Sequence, residues 1–427
     1  MMRKEDHSSI YTQYMYSYPH KRTYEDIERL DLSLYRERFR GREMGLYIHL
    51  PFCRSKCGYC NLFSITGEEE REAYLSAVQR HCEQMKCEVD TSETRFTSLV
   101  LGGGTPLLLS EKELEGLFVL ARDEYRFSFE QDFSVVETSP YEATIGKLNL
   151  LREVGVKRVS VGIQSFLQDE LRILERVQRS SDMYSSLDKI KALSFEVLNI
   201  DLIYGIPGQS VKSLIYSIEE ALRFEPEEIF LYPLYKQENA RLYHKFEMDF
   251  ELQYRLYQEG RSHLLEKGYV QNSMRNFSKK RKVNTDCGFE NMLSLGCGGR
   301  SYFDELHFCE KYVSAQEECR REYRSYVEKK DFLRNISFFL LDEEERKRKY
   351  AIKNLLYVTG LSRFDYKERF CSEVEKDFPF LIELCEQGQV RLSDGRWYLT
   401  EEGLGFSDRI GPLFMSEKVR KRMKNYA

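Results

Sequence analysis

Six short apolar runs rich in β-branched residues, at 45–50, 98–101, 133–137, 157–163, 197–204 and 228–234, constrain this chain more than any other feature. Each has the length and composition of a parallel strand buried on both faces. Between them lie stretches with helical periodicity at 68–89, 110–125, 142–154, 181–193 and 210–224, several opened by a serine suited to capping. Strands alternating with helices imply right-handed crossovers and one parallel sheet, either open and doubly wound or curled into a full or partial barrel. In either case the chemistry gathers at the strand C-termini.

At 427 residues the chain is long enough for such a core and an accessory unit. Lys and Arg number 65 against 70 Asp and Glu, a formal net charge of −5, without the basic excess of a nucleic-acid binder. No apolar run approaches the roughly 18 residues of a membrane span, so no membrane partner is expected. The polar start, Met1 to His7, lacks an apolar signal core, and the expected location is the cytoplasm. Eleven unevenly spaced cysteines in a reducing compartment read as free thiols or metal ligands.

The expected organisation is an N-terminal extension with one helix over 1–44, a core over 45–280, a barrel-closing and connecting segment over 281–342, and a smaller α+β domain over 343–427. The extension is rich in tyrosine (Tyr11, Tyr14, Tyr16, Tyr18). The basic stretch Lys279 to Lys282 reads as a solvated loop, and 296–299 as a glycine-rich turn. In the last region an Asp394-Gly395 turn joins two alternating runs after helical sequence, a winged-helix-like pattern. The basic run 418–424 reads as a solvated helix.

The strongest chemical signal is Cys53-x3-Cys57-x2-Cys60, three thiols within eight residues directly after the first strand. Structural zinc is closed by four ligands, and iron–sulfur clusters usually take four cysteines. Three would leave one iron open to substrate or cofactor. The alternatives are zinc completed by His49 or a distant cysteine, or three unligated thiols. Gly102-Gly103-Gly104-Thr105-Pro106 ends the second strand, where bare backbone lets amides approach a ligand or simply makes a tight turn. It lacks the spacing of a phosphate loop or dinucleotide fingerprint. Glu137, Gln164 and Asp201 recur at or near the ends of later strands, where a buried polar group must bond to structure or to ligand. Arg176 reads, on its own, as a solvated helix residue.

Together these residues resemble the radical S-adenosylmethionine (SAM) superfamily, in its oxygen-independent coproporphyrinogen III oxidase-like branch. The motifs, in order, are Tyr47-Ile-His49-Leu-Pro51-Phe52-Cys53-x3-Cys57-x-Tyr59-Cys60, Gly102 to Pro106, Val161 to Phe166, and Asn199 to Gly208. The resemblance implies a partial (β/α)6 barrel with a 4Fe-4S cluster on Cys53, Cys57 and Cys60, and SAM on the fourth iron. It implies that Tyr47 and Tyr59 flank SAM and that Gly103, Gly104, Thr105, Glu137, Gln164, Arg176 and Asp201 contact it, some of them at a second SAM. Backbone near Tyr235 would meet the adenine. It also implies a small-molecule or tetrapyrrole-like substrate and a reductant such as flavodoxin or ferredoxin.

Two departures narrow the resemblance. The oxidases carry a further cysteine two positions beyond the third, where this chain has Leu62. Related heme chaperones carry His-Asn followed by Tyr-Trp after the barrel, and the sole tryptophan here is Trp397. The expectation is a radical SAM enzyme, by hydrogen abstraction or methyl transfer, outside the authentic oxidases, with a heme-binding chaperone-like protein as the alternative. Cys297 reads as buried or as a substrate-side thiol; His20, His49, His244 and His307 are candidate heme ligands.

Overall fold

The structure, a computed structural model, describes residues 15, 17–67, 70–237, 239–281 and 291–424. Tyr11, Tyr14, Tyr16, Lys282 and Cys287 lie outside the described residues. Among the described residues thirteen strands form one sheet. In chain order they are β1 (Glu25–Arg29), β2 (Glu43–Leu50), β3 (Arg95–Gly103), β4 (Phe133–Thr138), β5 (Arg158–Gln164), β6 (Val197–Tyr204), β7 (Glu228–Pro233), β8 (Val270–Gln271), β9 (Asn276–Ser278), β10 (Met292–Leu295), β11 (Arg300–Phe303), β12 (Leu306–Cys309) and β13 (Arg334–Leu340). Their spatial order is β1-β13-β12-β11-β10-β2-β3-β4-β5-β6-β7-β9-β8.

Strands β2 to β7 are parallel neighbours in sequence order, as the six apolar runs require. Helices α1 (Arg71–Glu88), α2 (Glu111–Tyr125), α3 (Ile145–Val154), α4 (Gln168–Ile173), α5 (Ser180–Leu193) and α6 (Val211–Leu222) make the crossovers. Their starts are chemically specified. Ser110 Oγ accepts from the Glu113 amide while Glu113 returns a bond to the Ser110 amide at 2.6 Å, and Ser210 and Ser213 repeat the device. Along α2, Leu114, Leu117, Phe118, Ala121 and Tyr125 form the buried stripe. Among the described residues the edge strands β1 and β8 do not pair with each other, so the sheet does not close into a full barrel.

The region before residue 45 differs from expectation. It supplies the edge strand β1, antiparallel to β13 with Ile27 opposite Ile336, and a 3-10 turn at Ser33–Phe39 in place of a helix. That turn buries only Phe39 and has no side-chain cap, too little to sustain an α-helix. The 281–342 region likewise joins the sheet: β10 lies parallel to β2, and β11 to β13 follow antiparallel. Gly296 to Gly299 forms the turn between β10 and β11. Helices α7 (Phe250–Glu266), α8 (Gln316–Glu328) and α9 (Glu343–Leu355) come next.

After α9 come further helices and a three-stranded sheet whose hairpin turns at Asp394 and Gly395, both at positive φ. One hydrophobic core runs from Met15 to Val419, so the C-terminal residues pack into the same interior as the barrel. The basic run lies on a helix, Glu417–Lys424. Among the described residues no helix is long and apolar enough to cross a membrane.

Candidate functional site

The three-cysteine loop is closed at its base by a two-residue parallel ladder, Phe52–Cys53 against Ile65–Thr66. Its flanks are fixed from several directions. Lys56 Nζ donates to the carbonyls of Leu62 (3.2 Å) and Ser314 (2.6 Å), and Gly58 N donates to Leu174 O (2.9 Å). Arg54 donates to Glu142 at 2.9 Å and lies 3.7 Å over the Tyr141 ring. The packing is tight at Gly58, where a Cβ would sit 2.6 Å from the Leu242 side chain and 3.1 Å from that of Glu175.

Within this frame Thr105 Oγ1 faces Cys53 Sγ at 3.8 Å and Arg176 Nη1 donates to Cys57 Sγ at 3.2 Å. Burial, reinforced by the neighbouring thiols of Cys60 and Cys57, pushes the Cys53 thiol up to about 12. Burial and Cys57 push Cys60 up as well. Such a set gives up its protons to a cationic guest, which replaces mutual repulsion with coordination. Among the described residues no three His, Cys, Asp or Glu side chains converge on a single ion position. A four-iron cluster asks for less convergence, one thiolate at each of three corners, and the donor set fits it.

His49 does not complete a zinc site. Its Nε2 donates to Phe63 O at 2.9 Å, which leaves Nδ1 to accept from Tyr47 Oη at 3.2 Å. Burial holds its pKa down to about 4, so the ring is neutral. It is wedged between Gly103 and Gly298, where a Cβ would come within 2.5 and 2.7 Å of ring atoms. His49 therefore pins the far end of the cysteine loop to β2.

The glycine loop is tied to its neighbours through its backbone amides. Gly104 N donates to Leu50 O (2.8 Å), Thr105 N to Phe52 O (2.7 Å) and Gly103 N to Glu137 Oε2 (3.2 Å). These three amides bond to protein. A Cβ on Gly104 would strike backbone atoms of Phe52, Pro51 and Leu50 at 2.5–2.9 Å, so this glycine exists for close approach of β3 to the cysteine loop.

The polar strand ends converge. Tyr47 and Glu137 both lie against Gly102, and the Asp201 carboxylate is near enough to Glu137 to add to the effect of burial in raising it to about 6. Asp201, itself raised by burial, accepts from Asn199 at 2.8 Å, and Asn199 also donates to Ser160 at 2.7 Å. Gln164 sits at φ 70° after a bulge in β5, with its amide beside Gly162.

Arg176 is not a solvated helix residue. It lies in the loop after α4, where it bonds Gly162 O, Cys57 and, at 3.5 Å, Tyr59 Oη, bridging β5 to the cysteine loop. Helical periodicity could not show this, because its partners are distant in sequence. The Tyr235 hydroxyl donates to Asp408 at 2.5 Å and accepts from Arg275, so this group is taken up by the protein. Cys297 is buried, with its amide and thiol both on Tyr74 Oη at 3.1 and 3.6 Å, which is the structural reading. His49 as a lock, Arg54, and the Arg275–Asp408 pair were missed as site residues. Only His49 had a sequence signal, its place in the first motif.

A partial (β/α)6 barrel with a three-thiol loop at the end of its first parallel strand defines a class. Residues 47–221 match the model of the Radical SAM superfamily, and the chain carries a radical SAM domain. That family implies a 4Fe-4S cluster and SAM. The chain is similar to the heme chaperone HemW of Bacillus subtilis (strain 168), 27% identical over 384 residues, which cover 87% of this chain and 99% of that protein. It is also similar to the oxygen-independent coproporphyrinogen III oxidase of Salmonella typhimurium, 28% identical over 233 residues, 52% of this chain and only 50% of that protein. The fold matches that of coproporphyrinogen III oxidase (HemN) from Escherichia coli with a TM-score of 0.78, 21% identity, and coverage of 94% of this chain and 96% of that one.

Proposed function

We propose that this protein is a radical SAM enzyme that cleaves SAM reductively and acts on an organic substrate outside authentic coproporphyrinogen oxidation. The carrying observation is the convergence of Cys53, Cys57 and Cys60 with Tyr47, Glu137, Gln164, Arg176 and Asp201 at one end of the parallel strands. In this reading Cys53, Cys57 and Cys60 hold the cluster, and the nearby residues Tyr47, Tyr59, Gly103, Gly104, Thr105, Glu137, Gln164, Arg176, Asp201 and the Tyr235 backbone hold SAM. When bound, the cluster and SAM supply one-electron cleavage of a sulfonium to a 5′-deoxyadenosyl radical. The protein orients and shields. Glu137 and Asp201 offer carboxylates to the cationic and hydroxyl parts of SAM, Arg176 balances thiolate charge at Cys57, and the half-buried setting of these side chains limits water. The names of both relatives refer to tetrapyrroles, which supports a tetrapyrrole-like substrate.

Anaerobic reconstitution with iron and sulfide tests this. The loaded protein should show cluster absorbance that SAM perturbs and should release 5′-deoxyadenosine under dithionite. Replacement of the three cysteines by alanine should abolish both. A loaded cluster that leaves SAM intact overturns the reading. The near full-length similarity to HemW favours a second one, a heme carrier. His49 and His307 have both ring nitrogens engaged, which leaves exposed His244 and partly buried His20, whose Nδ1 accepts from Arg22 N, to serve as ligands. Heme titration with no Soret shift at micromolar protein removes it.

A further inference from the structure

Asn199 is an exception within the apolar strand β6. It is fully buried between Leu198 and Ile200, on the strand face that carries Asp201 two residues later. The sheet register sets it directly opposite Ser160 on β5, which is buried and lies opposite Glu137 on β4. Asn199 Nδ2 gives one hydrogen to Ser160 Oγ at 2.7 Å and the other to Asp201 Oδ1 at 2.8 Å, and the Ser160 hydroxyl in turn bonds the Asp201 carboxylate. The three side chains close a triangle.

The other end of the amide suffers for it. Asn199 Oδ1 is buried and has no hydrogen-bond partner among the described residues. Turning the amide over would set that oxygen against the Asp201 carboxylate, acceptor against acceptor, so the orientation is the one an anionic Asp201 imposes. A buried carbonyl oxygen left unpaired is unfavourable, and the fold alone gives no reason to keep it, since leucine has nearly the same shape and would orphan nothing. The charged groups around Asp201 are Glu137 from β4, Arg158 from β5 and Arg176 from the loop after α4, with Arg158 shared by Glu228 of β7. Two cations thus stand among three carboxylates. Burial raises Asp201, and the bonds from Asn199 and Ser160 oppose that rise. Asp201 is only half-buried, so part of it stays open to a ligand.

We propose that Asn199 is a positioning residue that, together with Ser160, fixes the Asp201 carboxylate in its anionic form for the cationic cofactor. The proposal rests on the radical SAM reading and deepens it by assigning a role beneath the residues that would touch SAM. Asn199 itself touches no ligand; it acts through Asp201.

The test uses reconstituted full-length protein, with Asn199→Leu and the smaller change Ser160→Ala. The Asp201 carboxylate is titrated by infrared spectroscopy on protein labelled with carbon-13 aspartate, its band assigned by its loss in Asp201→Asn. Asp201 should hold its proton about tenfold more tightly in Asn199→Leu than in wild type, and by a smaller factor in Ser160→Ala. SAM affinity, measured by equilibrium dialysis without reductant, should be about tenfold weaker in Asn199→Leu at pH 7, and the ratio of wild-type to variant affinity should widen as pH falls from 8 to 6. A merely structural role would leave that ratio independent of pH. If Asn199→Leu does not fold, Ser160→Ala carries the comparison. An Asp201 titration that is the same in wild type and variant overturns the positioning role. Wild type that holds its cluster and binds no SAM overturns the radical SAM reading instead, and the infrared titration still decides whether Asn199 fixes Asp201.

Discussion

Replacing Gly104 by alanine isolates the contact on which the site's geometry depends. The added Cβ would lie 2.5 Å from Phe52 O, 2.8 Å from Pro51 C and 2.9 Å from Leu50 O. All three are backbone atoms, so no side-chain rotation relieves the clash, and β3 must separate from the cysteine loop. Overpacking of this kind costs about 1–3 kcal/mol. Separation also loosens Gly104 N to Leu50 O and Thr105 N to Phe52 O, at roughly 1 kcal/mol each. The expected loss is therefore about 3–5 kcal/mol, a large part of an ordinary domain's stability. Gly116→Ala is the matched control. It lies on the exposed face of α2 with nothing within 4 Å of the new Cβ, and should stabilise by roughly 0.5–1 kcal/mol through helix propensity. Urea denaturation of the two variants should show midpoints displaced in opposite directions, with iron uptake impaired only in Gly104→Ala. Midpoints moving together, or a Gly104→Ala protein as stable as wild type, would refute the close-approach argument.

Three further outcomes are expected. His49 titrates near 4 when folded and near 6.5 when unfolded, so its contribution is intact above pH 6.5 and is lost as pH falls toward 4. The full loss is about 3 kcal/mol, and the urea midpoint of wild type should drop between pH 7 and 5 more than that of His49→Gln; equal drops contradict the assignment. Asp408→Asn leaves Arg275 buried without its charge partner and should cost about 3–5 kcal/mol, whereas Arg275→Met/Asp408→Leu should recover much of it. Additive losses in that double-mutant cycle would show that the pair is not coupled. Arg176→Lys keeps the charge but cannot span Gly162 O and Cys57 together, so SAM-dependent changes in the cluster's paramagnetic signal should weaken while iron content holds; an unaltered signal would remove Arg176 from the site.

The sequence by itself determined the six alternating strands and helices and the position of their chemistry. Strands β2 to β7 fall within a few residues of the apolar runs, and the capped helices start where serine and acidic residues place them, because periodicity and capping act over one turn of chain. The three-thiol loop was legible for the same reason, since its ligands lie within eight residues. Only the tertiary structure decided the rest. Arg176 became a bridge to Cys57, His49 a neutral pin to Phe63, and Tyr235 a partner of Asp408 from 173 residues away. Strand β1 finds β13 about 300 positions further on, and the Gly103–Thr105 amides spend their bonds on the protein. No local pattern encodes such pairings: each is chosen when the collapsed chain must satisfy buried donors and acceptors with whatever group the fold brings within reach.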